Sequence, residues 1–304
     1  VASPSPLASP TPQPSPTPLA TWLYMPGDGA QADLTQAASS WLEQKAAASG
    51  AHLVTRQGAP SAQELNQASR VVYLASPSDL STQLAAHTNA VFMVLSGEAL
   101  PAAGNLIELH ADPLARAFLA GYVGTLVAPD WRAAGLFTED GPAAAAFHDG
   151  GGYFCGICRP YYGPLPQSPL PISVVLASAQ DAGGLEGAMA QLKQNAIGLV
   201  YVPQALEEGA LLERLSAGKL LLVADSKPAG FPQELWVAAV GWDLTAALDA
   251  AWENFSSGRG NLSVTVPLRL LDANPQLLTP GRQAQGEAVA QALATGKISP
   301  QSPQ

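Results

Sequence analysis

From residue 21 onward the sequence alternates short apolar runs with longer amphipathic stretches. Runs such as "TWLYM" and "RVVYLAS" have the length and composition of buried strands, and "LTQAASSWLEQKAAASG" has the composition of a helix. This order is typical of βαβ units with a parallel sheet. The cycle restarts after "PLARAFLAGYVGTLVA". The sequence therefore predicts an α/β protein with two doubly wound parallel-sheet lobes joined by a hinge.

The domain boundaries are predicted from this restart. Lobe 1 is expected to cover 21–126 with a returning segment at about 236–270, and lobe 2 to cover 127–235 with 271–304 as a further part. The chain is then expected to cross between the lobes at three places, near 126–132, 226–236 and 270. In "LSVTVPLRLL", Pro267 predicts an edge strand, because proline would interrupt a central ladder. The three glycines at 150–152 are expected to end the helix predicted in "GPAAAAFHDGGGYF".

Residues 1–20 have a different composition, in which Pro alternates with Ser, Thr and Ala. Such a segment favours an extended conformation and predicts a disordered tether that reaches about 60 Å. A tether of this kind is typical of an exported protein held at a membrane by an amino-terminal anchor. We therefore expect an extracytoplasmic location, in the periplasm or at the cell surface. A tail without a role, or a linker to a removed domain, remains an alternative.

The charge of the chain argues against several partners. Only 12% of the residues are charged and the formal net charge is −10, so we expect no nucleic-acid partner and no membrane contact beyond the inferred anchor. The apolar stretch "AFLAGYVGTLVA" is shorter than the roughly 20 residues that a membrane-spanning helix needs.

Motifs of common enzymes are missing from the sequence. It contains no G-x-S-x-G elbow, no H-E-x-x-H, no P-loop and no G-x-G-x-x-G after a strand. The four histidines lack metal-ligand spacing. We therefore expect neither an enzyme nor a cofactor or metal site.

Both cysteines lie in one motif, "FCGICRPYYG", which allows three interpretations. A structural zinc site needs four ligands, and only His148 is near Cys155 and Cys158. A thioredoxin-type dithiol follows a strand at the start of a helix, whereas here "HDGGGY" precedes the motif. In an exported protein the pair is expected to be a disulfide that stiffens the loop after the lobe 2 helix. The neighbouring aromatic residues are expected at the lobe surface rather than in the cleft.

Ligands of doubly wound sheets bind outside the carboxyl ends of the strands, so a cleft between the lobes is the predicted binding site. Aromatic rings and oxygen-bearing side chains at strand ends, with two aspartates in the first loop, are the candidate ligand contacts. They are Tyr24, Asp28, Asp33, Ser96, Tyr201, Gln204, Asp225 and Trp242. Core packing is the alternative for the aromatic residues, and loop or helix-capping roles are the alternative for Asp28 and Asp33.

Two long stretches carry a resemblance to a known family. They are "DPLARAFLAGYVGTLVAPDWRAAGLFTEDGPAAAAFHDG" and "LLLVADSKPAGFPQELWVAAVGWDLTAALDAAWENFSSG". Both resemble type I periplasmic solute-binding proteins, most closely the basic-membrane-protein (PnrA-like) branch, whose lipoproteins deliver purine nucleosides to ABC transporters. The resemblance covers most of 21–296 in the order of its elements.

The resemblance implies a ligand site that this sequence keeps only in part. Asp225 matches an aspartate that binds the nucleoside ribose in that branch. Thr35 stands where the branch has an asparagine, Ser96 and Glu98 stand where an aspartate ends the fourth strand, and Trp242 replaces a lysine.

The sequence as a whole therefore predicts a solute-binding receptor. It is expected to hold a small polar ligand, nucleoside-like or sugar-like, between its lobes and to deliver it to an ABC-type permease. A ligand-sensing module for a signalling receptor and an extracytoplasmic enzyme are the alternatives.

Overall fold

A computed structural model describes residues 20–27 and 32–301 of the 304-residue chain, except for the side chains of 32 and 33. Its strands form two sheets. The first contains β1 (Thr21–Met25), β2 (His52–Thr55), β3 (Ala68–Tyr73), β4 (Val91–Ser96), β5 (Leu106–His110) and β11 (Leu262–Thr265). The second contains β6 (Ala133–Phe137), β7 (Ile172–Val175), β8 (Leu199–Val202), β9 (Leu221–Ala224), β10 (Trp236–Trp242) and β12 (Leu268–Leu271).

The two sheets repeat one topology. The first has the order β11-β5-β4-β3-β1-β2 and the second has the order β12-β10-β9-β8-β6-β7. In each, the chain starts at an inner strand, adds a strand on one side and then winds in the other direction, which is the doubly wound pattern. All the pairs are parallel except the one between β12 and β10. The predicted fold class, two doubly wound α/β lobes, is confirmed.

Helices cover both faces of each sheet. They are α1 (Ala32–Ser49), α2 (Ala62–Gln67), α3 (Leu80–Ala86), α4 (Pro113–Val127), α5 (Pro142–Cys155), α6 (Ala182–Gln194), α7 (Gly209–Ala217), α8 (Leu244–Ser257) and α9 (Pro280–Ala294). None of the helices in the described part of the chain is both long and apolar enough to cross a membrane.

The crossings between the lobes differ from the predicted ones. Helix α4 packs on β6, β8 and β10 of the second sheet, so the chain leaves lobe 1 before α4 rather than after it. The observed crossings lie at 111–112, between β10 and α8, and at 266–267. Strand β10, expected in the returning segment to lobe 1, lies in lobe 2, and α8 returns to pack on α1.

Pro267 has a different effect from the predicted one. Instead of one edge strand, "LSVTVPLRLL" forms two, with β11 at the edge of the first sheet and β12 at the edge of the second. Val266 donates its backbone N–H to the carbonyl of His110, and the carbonyl of Pro267 accepts from Asp243. The proline therefore lies at a crossing between the lobes.

Helix α5 continues through three consecutive glycines that the sequence suggested would end it. A side chain at Gly150 would overlap the backbone carbonyl of Phe118 on α4, and one at Gly121 on α4 would overlap the carbonyl of Phe147 on α5. These two glycines let α4 and α5 pack backbone to backbone. The close approach compensates for the weak helix propensity of glycine.

Candidate functional site

A cavity of about 680 Å³ lies between the lobes. Lobe 1 supplies most of its wall through the segment 74–78, which follows β3, and the segment 95–100, which contains the end of β4 and the loop after it. Lobe 2 supplies Pro113 and Arg116 from the first turn of α4, and Trp242 from the end of β10. The cavity is therefore at the carboxyl ends of parallel strands and beside two of the crossings, where doubly wound sheets bind ligands.

The positive charge at the cavity is Arg116. Its Nη2 atom lies 3.0 Å from Oδ2 of Asp225, and its guanidinium carbon lies 5.4 Å from the centre of the Trp242 ring. The first contact is an ion pair and the second is a cation–π contact. Since the Arg116 side chain is 19% exposed and that of Asp225 is 1% exposed, the arginine faces the cavity and the aspartate lies beneath it.

Asp225 follows β9 directly and is held by lobe 2 on all sides. The hydroxyl of Tyr201 donates to its Oδ1 atom at 2.6 Å, and the backbone N–H of Gln204 donates to Oδ2 at 3.0 Å. The ring of Tyr201 stacks on Phe147, with ring centres 5.7 Å apart. Burial, with the negative charge of Asp225, keeps the pKa of the Tyr201 hydroxyl well above 10, so it stays a donor.

A second carboxylate supports the loop after Asp225. Glu207 accepts from the backbone N–H of Ser226 at 3.2 Å and from its hydroxyl at 2.8 Å. Burial raises the pKa of Glu207, and the two hydrogen bonds from Ser226 act in the opposite direction. These contacts tie the residue after Asp225 to the loop after β8.

The structure brings some of the sequence-predicted residues to the cavity and separates others from it. Ser96 and Trp242 line the wall. The Ser96 hydroxyl donates to the backbone carbonyl of Glu98 at 2.6 Å, so it is already used within its own loop. Asp225 directly follows a strand, and its carboxylate is fully partnered within the protein. Its partners come from α4, β8 and the loop after β8, which the sequence order does not show.

Three further candidates lie away from the described wall of the cavity. Tyr24 is buried in the lobe 1 core, where its hydroxyl donates to the carbonyl of Thr35, and burial raises its pKa to about 12. Tyr201 is buried beneath Asp225. Gln204 contributes its backbone N–H to Asp225. Asp28 lies outside the described residues, and Asp33 is described only as a backbone position of α1.

Arg116 is a residue of the site that was not among the candidates predicted from the sequence. A signal was present, because Arg116 is the one charged residue in "PLARAFLAGYVGTLVA". A charge in the first turn of a helix that is otherwise apolar on every side requires a buried partner or a ligand.

Cys155 and Cys158 form a disulfide at the end of α5. The backbone of Cys158 pairs with Leu170, so the disulfide lies at the base of the loop that leads to β7. Tyr161 and Tyr162 in this loop are exposed, and they are not part of the described wall of the cavity.

Among the described residues no group of three or more His, Cys, Asp or Glu side chains is arranged to hold a metal ion.

No protein-family model matches the sequence, and no curated protein is significantly similar to it. The fold is nevertheless similar to solved structures. One is an ABC transporter solute-binding protein from Conexibacter woesei, with 16% identity, 94% of this chain and 99% of that chain covered, and a TM-score of 0.61. Another is a transcriptional activator of the comK gene from Bacillus halodurans, with 13% identity, 93% and 100% covered, and a TM-score of 0.63.

A third similar structure is the myo-inositol binding protein of Caulobacter, with 15% identity, 91% of this chain and 99% of that chain covered, and a TM-score of 0.54. Similarity at these identities shows the fold, which is that of type I periplasmic binding proteins.

Proposed function

We propose that the chain is an extracytoplasmic solute-binding receptor that captures a small polar ligand between its lobes and delivers it to an ABC-type permease. The observation that carries this proposal is the cavity of about 680 Å³ between the lobes, which has the size of a small-molecule site. Its wall combines lobe 1 loops with Arg116 and Trp242 of lobe 2, so one ligand can touch both lobes.

Such a ligand would favour a closed form. The lobes are joined by three crossings, at 111–112, between β10 and α8, and at 266–267, and these are the expected hinge. Contacts that the ligand makes with both lobes at once exist only when the cleft is shut, so binding shifts the population toward closure. The closed pair of lobes is then the form that the permease recognises.

We also propose which residues contact the ligand, which family branch the chain resembles most and how it is held at a membrane. Trp242 and Ser96 are proposed to contact the ligand directly, and Asp225 and Tyr201 to act by holding Arg116. Asp28 and Asp33 stay candidates from the first loop. The resemblance to the basic-membrane-protein branch and the Pro-rich segment 1–20 support a lipoprotein that extends from a membrane.

A second candidate is a sensing module that reports its ligand to a regulatory partner. It is favoured by the similarity to the comK activator of Bacillus halodurans. Both candidates use the same cleft and differ in the protein that recognises the closed form. Co-purification with a permease subunit supports delivery, and co-purification with a regulator instead supports sensing.

Thermal unfolding of the whole chain with nucleosides, sugars, amino acids and organic acids tests the proposal. A ligand at about one hundred times its Kd adds about 2.7 kcal/mol to the free energy of unfolding, which is easily measured. We expect saturable stabilisation by at least one class, with the compound recovered unchanged. Absence of stabilisation by every class, or conversion of the compound, would contradict a receptor.

A further inference from the structure

The orientation of Arg116 indicates what kind of ligand the cleft takes. Its Nη2 atom pairs with Oδ2 of Asp225 at 3.0 Å, and among the described residues this is the one polar partner of the guanidinium. Asp225 also accepts hydrogen bonds from Tyr201 and Gln204. The guanidinium is therefore held in place by Asp225 and by the Trp242 ring, while its remaining donors are left for another acceptor.

These donors border the cavity in a partly desolvated position, with the Arg116 side chain 19% exposed. A guanidinium in such a position needs acceptors, since unpaired donors removed from water are costly. A carboxylate has two oxygens that match two parallel N–H groups of a guanidinium. Among the described residues that line the cavity, Arg116 is the only positively charged one, and the carboxylate of Glu98 lies on an exposed part of the wall.

Ser76 and Ser78 add hydroxyl groups to the lobe 1 wall, but a larger part of the wall suits an apolar body. Leu34, Leu74 and Leu100 line the lobe 1 side, and Pro113 lines the lobe 2 side. The Ser96 hydroxyl is already bonded within its own loop. A polyol would bury several hydroxyl groups against these surfaces without partners, whereas an aliphatic or aromatic body would gain from losing contact with water.

We infer that the ligand is a small organic acid, whose carboxylate pairs with Arg116 and whose apolar body lies against the lobe 1 leucines and the Trp242 ring. The inference rests on the proposed function, because it names the ligand class of the same cleft. Trp242 fixes the guanidinium from one side and Asp225 fixes it from below, so Arg116 meets the carboxylate with little loss of side-chain entropy.

The test compares matched acids and amides on the whole chain by thermal unfolding and calorimetric titration. The probes are benzoate and 3-methylbutanoate, their neutral amides, and myo-inositol as a polyol. We expect the acids to bind at least about tenfold more tightly than their amides, because only the acid gives a charged bidentate pair. Equal or tighter binding of the amides or of myo-inositol overturns the organic-acid inference.

Arg116→Lys is the matched variant, since it keeps a positive charge beside Asp225 but loses the planar pair of donors. We expect a folded protein with at least about tenfold weaker acid binding and little change for amides. Unchanged acid binding overturns the role of Arg116. If no probe class stabilises the chain and the broader panel also fails, the proposed function itself falls. If myo-inositol or another neutral class alone binds, only the organic-acid inference falls.

Discussion

Removal of the Tyr201 hydroxyl tests the buried network under the cleft. Tyr201→Phe keeps the ring and its stacking on Phe147, and deletes only the hydroxyl that donates to Oδ1 of Asp225 at 2.6 Å. The acceptor is a carboxylate whose side chain is 1% exposed, so water cannot replace the lost donor. Hydrogen bonds to charged groups are worth about 1.5–3 kcal/mol, and we expect a loss of about 2 kcal/mol in the free energy of unfolding.

Tyr24→Phe is the matched control in the other lobe. Tyr24 is equally buried, but its hydroxyl donates to the uncharged carbonyl of Thr35 at 3.1 Å. This bond is expected to contribute about 1 kcal/mol, as is usual between neutral groups.

The assay is urea unfolding of the wild type and both variants at neutral pH, followed by far-ultraviolet circular dichroism. Tyr201→Phe should unfold at a lower urea concentration than Tyr24→Phe. In thermal unfolding, the Tm of Tyr201→Phe should fall by roughly 4–8 °C, and that of Tyr24→Phe by about half as much. A cost for Tyr201→Phe no larger than that for Tyr24→Phe would refute the view that Asp225 depends on this hydroxyl.

Two further predictions concern the helix pair and alkaline pH. Gly150→Ala should destabilise the protein strongly, because its Cβ would overlap the carbonyl of Phe118, whereas Gly152→Ala meets no atom within 4 Å and should gain up to about 1 kcal/mol from helix propensity. A lower Tm for Gly150→Ala and a higher Tm for Gly152→Ala would support the close packing of α4 and α5. Similar changes in Tm for the two variants would contradict it. Burial raises the pKa of Tyr24 and of Tyr73 to about 12, so both hydroxyls lose their protons more readily in the unfolded chain. Stability is therefore fully present below pH 10 and should fall between pH 10 and 12, measured by urea unfolding at pH 9 and 11. Equal stability at the two pH values would contradict the buried state of these side chains.

The sequence pattern was sufficient to predict the two lobes, because each strand and helix has a local signal in the sequence. Short apolar runs between amphipathic stretches predict buried parallel strands, and the observed sheets contain them in the doubly wound order. The capping box of Ser61 and Glu64 is another local signal, and it starts α2.

The crossings could not be predicted from the same pattern. Helix α4 is apolar on nearly every side, so its composition does not indicate which sheet it covers. Only packing shows that it lies against lobe 2 and α5. The glycines at 150–152 were misleading for a similar reason, because the requirement for Gly150 comes from another helix rather than from its own segment.

The site depended even more on contacts between distant segments. Ser96 and Trp242 were found because strand ends meet at one edge of a sheet. The partners of Asp225 come from α4, β8 and the loop after β8, and no local pattern joins them. Arg116 was therefore missed, although its position in an apolar helix marks it as unusual.

Filling the cleft tests whether the ligand binds between the lobes. Gly97 lines the cavity, and a Cβ there would make ordinary contacts of 3.7 Å with the Ala111 carbonyl and 3.8 Å with Pro113. Gly97→Ala should therefore fold and bind as the wild type does, and Gly97→Trp should fold but fill the cleft with its ring. The affinity of each protein for the tightest-binding compound of the thermal panel is measured by calorimetric titration. We predict that Gly97→Trp loses affinity by about tenfold or more and that Gly97→Ala keeps the affinity of the wild type. Unchanged affinity of a folded Gly97→Trp variant would place the binding site outside the cleft.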